Sequence, residues 1–208
     1  MGIGEAIAFK LAENRYNLVL VSRSEEKLAA LAKRLEAASE SCKAIYRVAD
    51  IGNSEAVDAA VASALKEVGT IDVLINNAGL ALGAPAAFPD LSLSDINTMI
   101  STNINGLLYV SHAVLNHAML NEKYGAGSGT VLNITSITGL EVPPFTGEAV
   151  YHANKAFQEA FTNALRNELS GTNVRVLALR PGCVATNFHS LRVGHDKKQY
   201  DAFFDGFQ

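Results

Sequence analysis

Tyr151 and Lys155 stand four residues apart, and Ser136 lies fifteen residues before the tyrosine. A spacing of four puts two side chains on one face of a helix, so a phenol and an ammonium would point into the same space. A nearby ammonium favours phenolate and draws a tyrosine pKa below its ordinary value of about 10. A phenol tuned that way can trade a proton with a substrate hydroxyl or carbonyl near neutral pH. The pair alone is a weak signal, because two common residues at this spacing also describe a solvated helix face. It has company: Gly2-Ile3-Gly4, Asn76-Asn77-Ala78-Gly79, Asn103 and Thr135-Ser136 upstream, and Arg180-Pro181-Gly182 downstream.

The elements that must hold these residues follow from apolar periodicity. Strands are expected at 17–21, 43–49, 71–76, 130–135 and 174–179. Helices are expected at 24–40, 54–68 and 149–170, with one long helical stretch at 92–122 bent at Gly106. Ser22, three residues before Glu25, resembles a capping box. The remainder from 186 is polar with scattered aromatics and predicts short helices or a flap. Alternating strands and helices with crossovers of this length imply a parallel sheet covered on both faces.

Composition narrows the function. With 49% hydrophobic and 18% charged residues over 208 positions, the chain can bury one large core and form a single domain. A net charge of −4 without a basic stripe gives nucleic acid no electrostatic footprint. No apolar run approaches membrane-span length, and no secretory leader pattern is present. Two distant cysteines, Cys42 and Cys183, suit free thiols in a reducing compartment, so a cytoplasmic protein is expected. The five histidines lack metal-ligand spacing, so no metal is expected.

In order and spacing, the motifs resemble the short-chain dehydrogenase/reductase family over nearly the whole chain. The resemblance implies a Rossmann-like, doubly wound parallel sheet in one domain (1–208). It also implies hydride transfer between a nicotinamide and a secondary alcohol or carbonyl, with a small-molecule substrate. Tyr151 is then the acid/base. Lys155 tunes it and holds the nicotinamide ribose, Ser136 polarises the substrate oxygen, and Asn103 anchors a water leading to Lys155. In this family the long helix and the tyrosine-bearing helix form a dimer interface, so a homodimer or homotetramer is expected; Leu107, Leu108, Val110, Phe157 and Phe161 would serve it, although burial against their own sheet explains them as well.

For the cofactor, Gly2, Ile3 and Gly4 let a helix N-terminus approach a pyrophosphate closely. Arg23 and Ser24 follow the first expected strand, where no acid stands before Glu25. A guanidinium flanked by hydroxyls suits a 2′-phosphate and so NADP, although a surface arginine at a helix start fits as well. The resemblance assigns adenine contact to Asp50 and Ile51, a cleft wall to Asn77, Ala78 and Gly79, and nicotinamide contacts to Pro181, Gly182, Val184 and Thr186. Asp50 equally suits a turn.

The family's fingerprint has a preceding strand, a threonine and a first glycine that this chain lacks, and the back end also reads short. An incomplete gene model is the simpler expectation, and a short form without turnover the alternative. As written, the chain is expected to bind NADP(H) weakly.

Two stretches, 76–83 and Thr186-Asn187-Phe188 with Ser190 and Arg192, resemble the branch of NADP-dependent 3-hydroxy acid dehydrogenases acting on serine and allo-threonine. That branch has serine directly after the phenylalanine, where this chain has His189. Residues 187–208 are the expected substrate flap, with Arg192 either the partner of a substrate carboxylate or a solvated arginine. A broad carbonyl reductase and a non-catalytic remnant are the competing functions.

Overall fold

The computed structural model describes residues 2–124, 127–143 and 146–205. The chain alternates α1 (Ile3–Glu13), β1 (Leu18–Ser22), α2 (Glu25–Ala38), β2 (Ala44–Val48), α3 (Ser54–Val68) and β3 (Val73–Asn76). It continues with α4 (Leu93–Ile100), α5 (Gly106–Val114), β4 (Ser128–Ile134), α6 (Ala149–Glu168), β5 (Asn173–Leu179), α7 (Asn187–Arg192) and α8 (Lys197–Asp205).

All strand pairing is parallel, and among the described residues it forms two sheets, β2-β1 and β3-β4-β5. Among the described residues no ladder joins β1 to β3, between which the doubly wound order puts the strand that precedes the family's fingerprint. Each sheet has its own buried cluster. Ala8, Ala12, Leu18, Leu35 and Ala44 fill the first; Val57, Leu74, Val114, Met119, Val131 and Val176 belong to the second. Helix α3 packs on both β2 and α5 and so ties the two halves into one α/β Rossmann-like domain.

Local signals explain most boundaries. Asn53 caps α3 by accepting from Ala56 N at 3.0 Å, and Gly69 ends that helix with φ 82°. Ser92 caps α4 by accepting from Asp95 N. The capping box at Ser22 does not form: the N-cap of α2 is Ser24, without a side-chain bond, because β1 runs through Ser22. The long helical stretch runs from Leu93 to Met119. It departs from α geometry in a π turn at Ser101–Asn105, just before the expected bend, and again at Leu115–Met119. Gly106 sits directly after the first π turn, where a Cβ would come within 2.4 Å of Ile51 Cδ1.

Candidate active site

β3, β4 and β5 end together, and in open α/β sheets ligands bind beyond the carboxyl ends of the strands. Ser136 stands two residues past the end of β4 and caps a 3-10 turn at Ile137–Gly139. Its Oγ accepts from Thr138 N at 3.2 Å and from Thr138 Oγ1 at 3.0 Å. With both lone pairs engaged, the serine hydroxyl is left to donate. The serine side chain lies beside the Tyr151 phenol and favours its ionised form. The turn is held against α6 by His152 Nδ1 bonding Thr138 O. Gly139 permits that approach, since a Cβ there would lie 2.8 Å from Lys155 O.

Helix α6 carries Tyr151 and Lys155 on one face as the spacing predicts, but the electrostatics differ from expectation. Burial pushes the Tyr151 phenol up to about 12, outweighing the lowering by Ser136; Glu148 raises it further and Arg192 lowers it. The Lys155 ammonium lies 5.7 Å from the tyrosine ring centroid. It donates to Ile134 O and to Gln158 Oε1, each at 2.9 Å. Burial draws it down to about 8, against the opposing pull of Glu159. The amine is spent on a carbonyl and an amide, so spacing alone misjudged the direction of the tyrosine shift.

Asn103 is fully buried in the first π turn. Its Nδ2 donates to Leu80 O at 2.7 Å and its Oδ1 accepts from Leu80 N at 2.9 Å, which locks the 77–80 loop. Gly79 lets that loop pass close to the lysine: a Cβ there would lie 3.7 Å from Lys155 Nζ and 3.3 Å from Asn103 Oδ1. Asn77 and Ala78 are exposed beside it. Asn76 is structural, donating to Asn133 Oδ1 at 2.8 Å and to Ser111 Oγ at 2.9 Å.

The expected cofactor residues fit a dinucleotide in most respects. Gly2 precedes α1, and a Cβ on Gly4 would meet Asn77 Nδ2 at 2.4 Å, so the helix start lies directly against the Asn77 side chain. The α1 N-terminus lines a groove of about 700 Å³ with Gly2 and Ile3 on one wall and Val184, Ala185 and Thr186 on the other. Unpaired amides at such a terminus suit a phosphate. Pro181 and Gly182 lead from β5 into this wall, and Thr186 caps α7. Arg23 is exposed and Ser24 half-buried at the end of β1.

The adenine pair is less apt. The Asp50 carboxylate accepts from Gly52 N at 2.9 Å as a turn residue, and Ile51 packs into the second core.

Arg192 is not a solvated flap arginine. It is 5% exposed and pairs with Glu148, which is 4% exposed. Its helix also brings Phe188 against Tyr151, with ring centroids 5.5 Å apart. A cavity of about 270 Å³ adjoins Glu148 and His152, walled by Phe88, Val142 and Pro143.

Three residues escaped sequence reasoning: Glu148, Gln158 and Glu159. Glu159 is buried, accepts from Thr135 Oγ1 at 2.6 Å and takes a two-pronged bond from Arg180 at 2.9 and 2.8 Å. It thereby clamps the ends of β4 and β5 to α6. Among the described residues no group of histidine, cysteine and acidic side chains could hold a metal ion, and no helix is long and apolar enough to cross a membrane.

The short chain dehydrogenase family model matches residues 1–195. A sulfoacetaldehyde reductase of Chromohalobacter salexigens is 38% identical over 98% of this chain and 77% of its own length. An NADP-dependent 3-hydroxy acid dehydrogenase of Schizosaccharomyces pombe is 36% identical over 96% of this chain and 74% of its own. Among solved structures, the closed form of a serine dehydrogenase complexed with NADP+ superposes with a TM-score of 0.81 at 32% identity, covering 97% of this chain and 76% of that one. The chain belongs to the short-chain dehydrogenase family and is an oxidoreductase of that family.

Proposed function

We propose that the chain transfers hydride between NADP(H) and a secondary alcohol or its carbonyl, with 3-hydroxy acids as the substrate class. The observation that carries this reading is Ser136 placed beside the Tyr151 phenol with Lys155 one turn along, near the groove lined by Gly2 and Thr186. Bound NADP(H) would supply or accept the hydride. Gly2, Ile3 and Gly4 would hold its pyrophosphate and Arg23 with Ser24 its 2′-phosphate. Asn77, Ala78, Gly79, Pro181, Gly182, Val184 and Thr186 would wall the nicotinamide, with Asp50 and Ile51 bordering the adenine.

In reduction, Ser136 donates to the substrate oxygen where negative charge develops. Tyr151, a phenol throughout the neutral range, delivers the proton to that oxygen. Lys155 fixes the field around the pair and faces the ribose. In oxidation the same proton returns to Tyr151.

Arg192 is the candidate for the substrate's anionic end. An incoming carboxylate would take the guanidinium from Glu148. Burial pushes that acid up to about 7, so it can accept a proton instead of standing as an unpaired charge. The relatives that act on serine, 3-hydroxy acids and sulfoacetaldehyde support an anionic substrate. The segment 187–208 is the flap; of it, residues 206–208 lie outside the described part. Two free cysteines suit a cytoplasmic setting. Association of two copies through the long helices belongs to the same reading, although Val110 and Phe161 pack against this chain's own core and Leu107 is buried, so these positions do not argue for it.

The test is nicotinamide absorbance with serine, 3-hydroxybutyrate and a neutral ketone. Turnover of the hydroxy acids with NADP supports the reading. Equal rates on the neutral ketone turn it to a broad carbonyl reductase, and no turnover with stable self-association to the non-catalytic remnant. Replacing Arg23 with Ala should weaken NADPH binding about ten- to hundredfold, the value of a lost charge-assisted bond, and leave NADH binding unchanged. Calorimetric titration with each nucleotide checks this, and equal loss for both removes Arg23 from the 2′-phosphate.

A further inference from the structure

Gln158 lies three residues beyond Lys155 on the same helix and is 2% exposed. Its Oε1 accepts from Lys155 Nζ at 2.9 Å and its Nε2 donates to Asn103 O at 2.7 Å. The orientation of this amide is not arbitrary. An ammonium can only donate and a backbone carbonyl can only accept, so one orientation alone satisfies both partners. The glutamine spans the gap between the catalytic helix and the π turn, where the family resemblance implies a water.

We propose that Gln158 is a positioning residue that fixes the Lys155 ammonium by bridging it, through its own side chain, to the Asn103 carbonyl. The inference rests on the dehydrogenase reading of Tyr151 and Lys155. An amide engaged at both ends holds a proton donor in place without passing the proton on, since passing it would require the imidic acid form. Gln158 therefore acts as a strut, and the proton delivered by Tyr151 must be replaced by another route.

The strut is itself braced. Thr162 Oγ1 donates to Gln158 O at 2.6 Å, Asn133 Nδ2 donates to Thr162 Oγ1 at 2.8 Å, and Asn76 Nδ2 donates to Asn133 Oδ1 at 2.8 Å. This buried ladder reaches from α6 through β4 to β3 and anchors the backbone from which the amide projects, while the amide itself cannot swing away without giving up its bonds to Lys155 and Asn103. The charged and titratable groups facing the ammonium are Glu159, which Arg180 holds, and the Tyr151 phenol; the π turn presents the neutral Asn103, β4 the Ile134 carbonyl and the 77–80 loop Gly79.

The test reads Lys155 directly, without turnover. In ¹⁵N-lysine NMR, with the signal assigned by Lys155→Arg, the ammonium of the unaltered chain should titrate near 8. The Gln158 side-chain amide signals should shift with that titration. Gln158→Leu removes the acceptor and should lower the lysine titration by about one pH unit, while Gln158→Glu adds a carboxylate and should raise it by at least as much. Kinetically, Gln158→Leu should cut kcat about tenfold with little change in KM and move the alkaline limb down by the same interval. A purely structural role would lower activity in both variants without opposite shifts.

Shifts in one direction for both variants overturn the proposal. If either variant fails to fold, an amide signal indifferent to the lysine titration in the unaltered chain overturns it just as well. Absence of turnover in every variant and in the unaltered chain would instead count against the dehydrogenase reading, because the titrations stand apart from catalysis.

Discussion

Replacing Tyr151 with Phe should lower kcat/KM about a thousandfold, within the range that positioned general acids contribute, while NADPH affinity stays unchanged. The ring would keep its packing against Phe188, so the loss isolates the hydroxyl. The proton lost with it is the one that Ser136 helps to place: Thr138 donates twice to the serine Oγ, which leaves the serine hydroxyl to donate, and the serine favours the ionised phenol.

The pH dependence of the unaltered chain gives the same assignment an independent check. Burial holds the free phenol protonated up to about 12, so the acid needed for carbonyl reduction is present across the neutral range. The group that changes there is Lys155, drawn down to about 8. Because kcat/KM reports groups of the free enzyme, reduction should be level at acid and neutral pH and decline above about 8 as the ammonium is lost. Oxidation needs the phenolate as the base and should instead rise with pH until that loss. A loss of less than about tenfold for Tyr151→Phe would remove the tyrosine from the acid role.

Tyr151, Lys155 and Ser136 were legible in the sequence because their relation is local, or set by one strand end and one helix start. The strands were legible for the same reason, as where the apolar run of β2 gives way to the Asp50–Gly52 turn and the Asn53 cap of α3. What escaped is polar pairing across long separations. Gln158 meets Asn103 across 55 residues, Asn76 meets Asn133 across 57, and Glu148 meets Arg192 across 44. No local period encodes such partners.

One signal was available. Tyr151, Lys155, Gln158 and Thr162 form a polar stripe at helical spacing along one face of α6. A polar stripe on the side facing a sheet must find buried partners. The misjudged tyrosine shift has a related cause: spacing reports which groups are neighbours, whereas burial decides which form is stable. Arg192 shows this too, since a polar flap composition suggested solvent and the fold supplied a carboxylate.

Removing the Arg192 guanidinium should produce the largest loss of stability of any single change near the site. Arg192→Ala leaves the Glu148 carboxyl buried without its cation, a loss worth about 3–5 kcal/mol, or a fall in Tm on the order of 10 °C for a domain of this size. The charge state of Glu148 sets when that loss is felt. Burial pushes its carboxyl up to about 7 although Arg192 opposes the shift. The folded-state pKa lies above the unfolded value of 4.5, so the folded chain binds the extra proton. Stability from this group is therefore full in acid and lost as pH rises through about 7. Without Arg192 the carboxyl should rise further and stay protonated, so the deficit of Arg192→Ala should be largest at pH well above 7 and shrink on acidification. Glu148→Gln should flatten the dependence of Tm on pH across the same window.

Since burial outweighs the attraction within the pair, the double change Glu148→Leu with Arg192→Met should recover most of the lost Tm, as apolar replacements of buried ion pairs often do. That recovery separates the two roles of Arg192. The double variant restores packing between α7 and α6 but offers no cation to a substrate carboxylate. It should therefore keep activity on a neutral ketone while KM for hydroxy acids rises by at least about tenfold. Thermal melts between pH 5 and 9 and the two substrate classes decide the matter. A Tm for Arg192→Ala equal to that of the unaltered chain at alkaline pH would contradict the buried pair, and equal kinetic losses on both substrates would confine Arg192 to holding α7 in place.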